Sequence, residues 1–131
     1  MDKKPYYITT PIYYVNDKPH LGHTYTTIAC DVLARFKRLD GYDVRFMTGT
    51  DEHGLKVKQA AEKAGVTPQA FTDQVSQNFR DLCPLMNYAN DDFIRTTEPR
   101  HIKACQHLWN VLVEKGEIYL GKYEGWYAVR D

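Results

Sequence analysis

Apolar and polar positions change their period several times along this chain, and each change marks an element. Tyr6 to Tyr14 is dense in aromatic and β-branched residues, which predicts a buried strand closed by the turn Asn16-Asp17-Lys18-Pro19. From Gly22 to Leu39 the apolar positions Ile28, Val32, Leu33, Phe36 and Leu39 recur at helical spacing, so a helix is expected with that stripe turned to the core. Gly41 stands where a left-handed glycine ends a helix. Asp43 to Thr50 reads as a second strand, and a strand–helix–strand connection makes it parallel to the first.

The same reading continues downstream. Leu55 to Lys63 is a short helix closed by Gly65. Thr67-Pro68 supplies an N-cap and a first-turn proline for a helix running to about Cys83, with Phe71, Val75, Phe79 and Leu82 inward. Asp92 to Thr97 is a short strand. Glu98-Pro99 opens a last helix reaching about Lys115, with Ile102, Cys105, Leu108, Trp109 and Leu112 expected in the core. After Gly116 the texture becomes aromatic, and two short strands are expected, Ile118-Tyr119-Leu120 and Tyr123 to Val129. Strands alternating with helices define an α/β fold built on a parallel sheet.

Composition narrows this little. A length of 131 residues suits one domain or part of a longer chain. Seventeen basic and seventeen acidic residues balance, so the global charge points to no nucleic acid, although a local patch would suffice. Cys30, Cys83 and Cys105 form no Cys-x-x-Cys pair, which suits reduced thiols and argues against a zinc ribbon in this stretch. With no leader-like start and no run of apolar residues long enough for a membrane, a cytoplasmic location is expected.

Two segments carry chemistry. His20-Leu21-Gly22-His23 follows the first strand and opens the first helix. Such a junction turns backbone N–H groups and a helix dipole toward an anion, and two imidazoles can donate to phosphate oxygens. Thr48-Gly49-Thr50-Asp51-Glu52-His53-Gly54 lies at the carboxyl end of the second strand, where parallel sheets bind ligands. Both segments are therefore expected to face one crevice. The acidic pair there suits a metal, a ribose or an ammonium group, and the plain alternative is a solvated loop in which Asp51 caps a helix.

Together the two segments resemble the catalytic domain of class I aminoacyl-tRNA synthetases. The stretch from Tyr7 to Asn16, the run Gly49 to Gly54, and Phe93-Ile94-Arg95-Thr96-Thr97 resemble, more narrowly, the methionyl branch of that family. The resemblance implies the first half of a Rossmann-like nucleotide-binding fold over residues 1–115. It implies the beginning of an inserted connective domain over 116–131.

Its implied substrates are ATP with Mg2+, L-methionine and tRNA(Met), with no zinc site in this stretch. His20 and His23 are the implied catalytic residues. ATP is implied to meet His20, Gly22, His23 and Asn16, and methionine Ile12, Tyr14 and Asp51. His53 is a further candidate for the crevice wall. Arg95 is expected to be structural or to lie near the insertion, and Trp126 and Tyr127 to pack in a ribbon. The family's second phosphate-binding loop and anticodon-binding domain are not in this sequence, so the chain alone is expected to turn over little. Two rivals stand beside this reading: another nucleotidyl transferase with the same His-x-Gly-His geometry, and a non-catalytic nucleotide- or tRNA-binding half-domain.

Overall fold

A computed structural model describes residues 3–126. Its elements are β1 (Pro5–Thr9), β2 (Tyr13–Tyr14), α1 (Leu21–Leu39), β3 (Asp43–Asp51), α2 (Leu55–Ala64), α3 (Pro68–Leu85), β4 (Asp92–Arg95) and α4 (Pro99–Glu114). All pairings are parallel, and β3 is the shared partner of β1, β2 and β4. Met47 pairs with both Thr9 and Asp92, and Thr50 with both Tyr13 and Arg95. A strand has two edges, so β1 and β2 follow one another along one edge of β3 while β4 takes the other.

The expected first strand is interrupted. Thr9 pairs with Met47 but Tyr13 pairs with Thr50, so four steps on one strand face three on the other. Pro11 falls in this gap, has no N–H to give to a ladder, and is found in sheets only where pairing lapses.

Side-chain alternation places the core on one face of the sheet. Val44, Phe46, Thr48 and Thr50 of β3 are buried, and their partners Tyr6, Ile8, Phe93 and Tyr13 share that face. Ala34 of α1 packs with Val44 and Phe46, while Val57 of α2 and Val75 and Phe79 of α3 pack with Tyr13, Val15 and Phe93. The opposite face carries Tyr7, Arg45, Met47 and Ile94 and remains at least partly open.

Two helical faces differ from expectation. In α1 the buried residues are Thr27, Asp31 and Ala34, whereas Ile28, Val32, Leu33, Phe36 and Leu39 are exposed, Leu39 at 89%. Asp31 is buried because both its oxygens are used: Oδ1 accepts the Ala89 N–H at 2.6 Å and Oδ2 accepts Arg35 Nε at 2.7 Å. A polar side chain can be buried when its hydrogen bonds offset the cost of leaving water. In α4 no residue is buried, and Trp109, expected in the core, is 59% exposed. That helix is tied at its start, where Arg100 donates to both oxygens of Asp92 and to the Phe93 carbonyl. Leu82 of α3 is half-buried rather than fully inward.

No strand forms over residues 117–126, so the expected strand Ile118-Tyr119-Leu120 is not present. The remainder of the expected Tyr123–Val129 strand, with Tyr127, lies outside the described residues. Among the described residues no helix is long and apolar enough to cross a membrane.

Candidate active site

The first turn of α1 is closed by its own histidines. His20 is the N-cap in extended conformation, and its ring Nδ1 accepts the Gly22 N–H at 3.1 Å. His23 reaches back, its Nδ1 accepting the His20 N–H at 3.0 Å. The rings stack, with centroids 3.8 Å apart and planes 30° from parallel. Each Nδ1 is therefore an acceptor, so in the neutral rings the proton sits on Nε2. Two N–H donors are thereby presented at a helix N-terminus. The sequence pattern located the histidines but not this mutual capping, which depends on rotamers.

Gly22 has an immediate reason in this arrangement. A Cβ there would stand 2.9 Å from His20 Cε1 and 3.1 Å from Nδ1, inside the space of the capping ring.

Tyr13, which the sequence marked only as part of a strand, joins the two halves of the site. Its ring stands edge-on to His23 with centroids 4.8 Å apart, and stacks on Phe79 at 5.9 Å. Its hydroxyl lies 2.8 Å from Thr27 Oγ1 and donates to the His23 carbonyl at 3.2 Å. Burial pushes its phenol above the ordinary value, so it stays protonated. Burial, and then the neighbouring His20, push the His23 imidazole below its ordinary value. His23 is consequently neutral at pH 7 and acts as a hydrogen-bond donor rather than a fixed cation.

Through its backbone Tyr13 pairs with Thr50, and Tyr14 with Asp51. Tyr14 and Asp51 thus share a sheet face at the carboxyl end of β3, and the Tyr14 hydroxyl donates to the His53 carbonyl at 2.7 Å. Gly54, at φ 107°, leaves room for that hydroxyl, since a Cβ would approach it to 2.3 Å. His53 lies against the segment just after β4, its Nε2 3.4 Å from the Thr96 carbonyl. Ile12 is exposed in the gap between β1 and β2.

The acidic pair Asp51-Glu52 divides. Glu52 is buried, and its side chain is fully enclosed. Oε1 accepts Thr50 Oγ1 at 2.7 Å and Arg95 Nε at 2.7 Å, while Oε2 accepts Arg95 Nη2 at 2.8 Å and Thr97 Oγ1 at 2.6 Å. Its backbone N–H donates to Thr96 Oγ1 at 2.9 Å. Burial alone would raise its pKa, but the Arg95, Thr97 and Thr50 hydrogen bonds outweigh that and hold the carboxyl below its ordinary range. These bonds of the loop fall to Glu52, and none falls to Asp51 among the described residues.

The histidine turn and Asp51 therefore meet the same end of the sheet, linked through Tyr13 and Tyr14. Asn16 stands apart, lining an open groove with Lys18 and with Ala60, Ala64, Phe71 and Gln74 of α2 and α3. Among the described residues no group of three His, Cys, Asp or Glu side chains could hold a metal ion.

Residues 6–131 match the family model of tRNA synthetases class I (M). The chain belongs to that family. It is 64% identical over 126 residues to a methionine–tRNA ligase of Rickettsia bellii, covering 96% of this chain and 25% of that protein. A methionine–tRNA ligase of Mesorhizobium japonicum is 58% identical over 131 residues, covering all of this chain and 25% of that protein.

Among solved structures, Mycobacterium tuberculosis methionyl-tRNA synthetase in complex with methionyl-adenylate superposes with a TM-score of 0.90 at 54% identity. It covers 97% of this chain and 25% of that one. LeuRS of Agrobacterium radiobacter K84, in a ternary complex with tRNA and LeuAMS, gives 0.80 at 28% identity over 89% of this chain and 15% of that one. This class I synthetase chain thus spans about a quarter of the length of the curated relatives it matches. The α/β fold on a parallel sheet, expected from the alternation of elements, and its Rossmann-like character, implied by the resemblance, are those of the family's catalytic domain.

Proposed function

We propose that this chain supplies the His-x-Gly-His half of a methionine–tRNA ligase active site. That activity joins L-methionine to ATP as methionyl-adenylate and then transfers the methionyl group to tRNA(Met) in the cytoplasm. The observation that carries the reading is the mutually capped His20–His23 turn at the sheet end that also carries Asp51, a carboxylate with no side-chain partner among the described residues, in a chain 64% identical to a methionine–tRNA ligase.

The methionine carboxylate attacks the α-phosphorus of ATP in line, and pyrophosphate leaves. Catalysis of such a step rests on positioning and on stabilising charge in the transition state. His20 and His23 donate from Nε2 to the triphosphate as that charge builds, and groups preorganised for it need no rearrangement. Gly22 keeps the helix start open for the nucleotide. Asp51 takes the methionine ammonium group in a charge-assisted hydrogen bond.

Ile12 and Tyr14 line the side-chain pocket, where a thioether gains about 0.3–1.5 kcal/mol from an aromatic ring. Magnesium arrives with the triphosphate as part of the substrate. It needs one or two carboxylates at most besides phosphate oxygens. Residues 1–115 form the first half of the catalytic domain and 116–131 begin its insertion.

The test is methionine-dependent ATP–pyrophosphate exchange by this chain and by the same chain extended to its relatives' length. Exchange in the extended form that requires methionine supports the reading. Exchange driven by another amino acid, or by none, overturns it and favours a different nucleotidyl transferase or a nucleotide-binding module.

A further inference from the structure

The loop after β3 carries two adjacent carboxylates, and the fold treats them in opposite ways. Glu52 is enclosed and accepts four side-chain hydrogen bonds, two from Arg95. Asp51, on the opposite sheet face from Arg95, accepts none among the described residues. Arg95 also donates to Asp73 Oδ1 of α3 at 2.5 Å, so one guanidinium ties the loop to a helix as well as to its own strand. Thr96 completes the bracket: its hydroxyl accepts the Glu52 N–H, and its own N–H donates to the Thr50 carbonyl at 3.2 Å. On the β4 side, the polar contacts that fix the backbone next to Asp51 thus come from the segment Arg95 to Thr97, while on the other edge β2 pairs with Thr50 and Asp51 and the Tyr14 hydroxyl holds the His53 carbonyl.

We infer that Arg95 and Glu52 are positioning residues for the amino-acid substrate, acting through Asp51. This rests on the proposed methionine-activating function and adds to it a role for a pair that touches no substrate. The pair acts in two ways. It neutralises the second carboxylate of the loop, so that Asp51 alone presents negative charge for an ammonium group. It also pins the peptide at Glu52, fixing the direction from which the Asp51 carboxylate meets that group. A planar guanidinium making two parallel bonds fixes orientation in a way that a lysine ammonium, a point charge, does not.

Loss of the Arg95 guanidinium leaves a buried, uncompensated Glu52 charge. The loop then relaxes to rehydrate it, and Asp51 moves with it. A displacement near 1 Å at a positioning group costs up to about a hundredfold in rate. The histidine turn hangs on Tyr13 and on its own capping bonds rather than on Arg95. Its hold on the nucleotide is therefore untouched.

The experiment measures KM for methionine and for ATP in exchange, in the chain extended to its relatives' length. Arg95→Gln, Arg95→Lys, Glu52→Gln and the double variant Glu52→Gln/Arg95→Gln are compared with wild type. The expected result is a rise of about tenfold or more in the methionine KM of Arg95→Gln. Its ATP KM should stay within about twofold. Arg95→Lys should fail to restore it, and the double variant should recover most of it, because two amides satisfy one another without a buried charge.

Asp51→Asn measured alone and with Arg95→Gln gives the readout a purely structural role would not move. If Arg95 acts through Asp51, the second substitution adds little to the first. Methionine and ATP constants rising together, additive effects with Asp51→Asn, or a variant that melts early with unchanged constants would each overturn the inference. An Arg95→Gln chain too unstable to assay is judged on the double variant, where a methionine KM still raised tenfold overturns it. A wild type without methionine-dependent exchange overturns the proposed function and this inference with it, whereas an active wild type with unaffected variants overturns this inference alone.

Discussion

The ring of Tyr13 stands edge-on to that of His23, centroids 4.8 Å apart, while its backbone pairs with Thr50 one residue before Asp51. One buried tyrosine thus holds the histidine turn against the strand end that carries the acidic loop. Tyr13→Phe keeps the ring but strips the hydroxyl from Thr27 and from the His23 carbonyl. A loss of about 1 kcal/mol is expected, read as a lower urea midpoint with an unchanged slope. A midpoint equal to wild type would show that the hydroxyl's bonds are replaced by water.

Gly22→Ala introduces a methyl 2.9 Å from His20 Cε1. The His20 ring must leave its capping position, which costs about 1 kcal/mol of helix stability. The displaced donor should raise the ATP KM, or lower the exchange rate, more than it changes the methionine KM. Equal changes in both constants would place the defect elsewhere.

Asp51→Asn removes the carboxylate that has no side-chain partner among the described residues. Stability should stay within about 0.5 kcal/mol of wild type, because no intramolecular partner is lost. Methionine binding should weaken by about 2 kcal/mol or more, the usual consequence of truncating one partner of a desolvated charge pair. Isothermal titration of methionine against both forms measures it, and equal affinities would reassign the ammonium partner.

His23 makes stability depend on pH in a defined direction. Its folded pKa lies below the unfolded value, because burial and then His20 disfavour the imidazolium. The unfolded chain therefore binds the proton more readily. The contribution is present above about pH 6.5 and is lost as pH falls through the folded value. Protonation would also take Nδ1 from the His20 N–H it accepts. Urea midpoints at pH 7.5 and 5.5 should fall further apart in wild type than in His23→Gln, and an identical pH dependence would contradict the burial argument.

The limits of the sequence reading are as specific as its reach. α1 was expected over Gly22–Leu39 and spans Leu21–Leu39, and β3 was expected over Asp43–Thr50 and spans Asp43–Asp51. Both are bounded by local signals, a histidine-capped start and a glycine at φ 86° in the first case. The faces of α1 and α4 were not legible. Hydrophobic periodicity ranks side chains by type, and it cannot see that Asp31 and Thr27 find partners that make their burial favourable. Arg95 gave a readable hint, a charged residue inside the short strand expected over Asp92–Thr97, but which acid it meets depends on α3 and β3 arriving at the same place.

The sequence by itself determined the alternation of strand and helix, the parallel sense of the strands, and the placement of His20-Leu21-Gly22-His23 and Asp51 at the sheet's carboxyl end. These follow from periodicity, caps and connection handedness, all short-range or generic. Only the tertiary structure decided that the histidines cap one another, that Tyr13 braces them, and that Glu52 is consumed by Arg95 while Asp51 is left available. The histidine caps turn on the rotamers of residues two or three positions apart, and the other outcomes on contacts between residues 10 to 45 positions apart. The bracing by Tyr13 and the pairing of Glu52 with Arg95 have no local pattern to encode them, since burial and pairing are properties of the assembled sheet and helices rather than of any one segment.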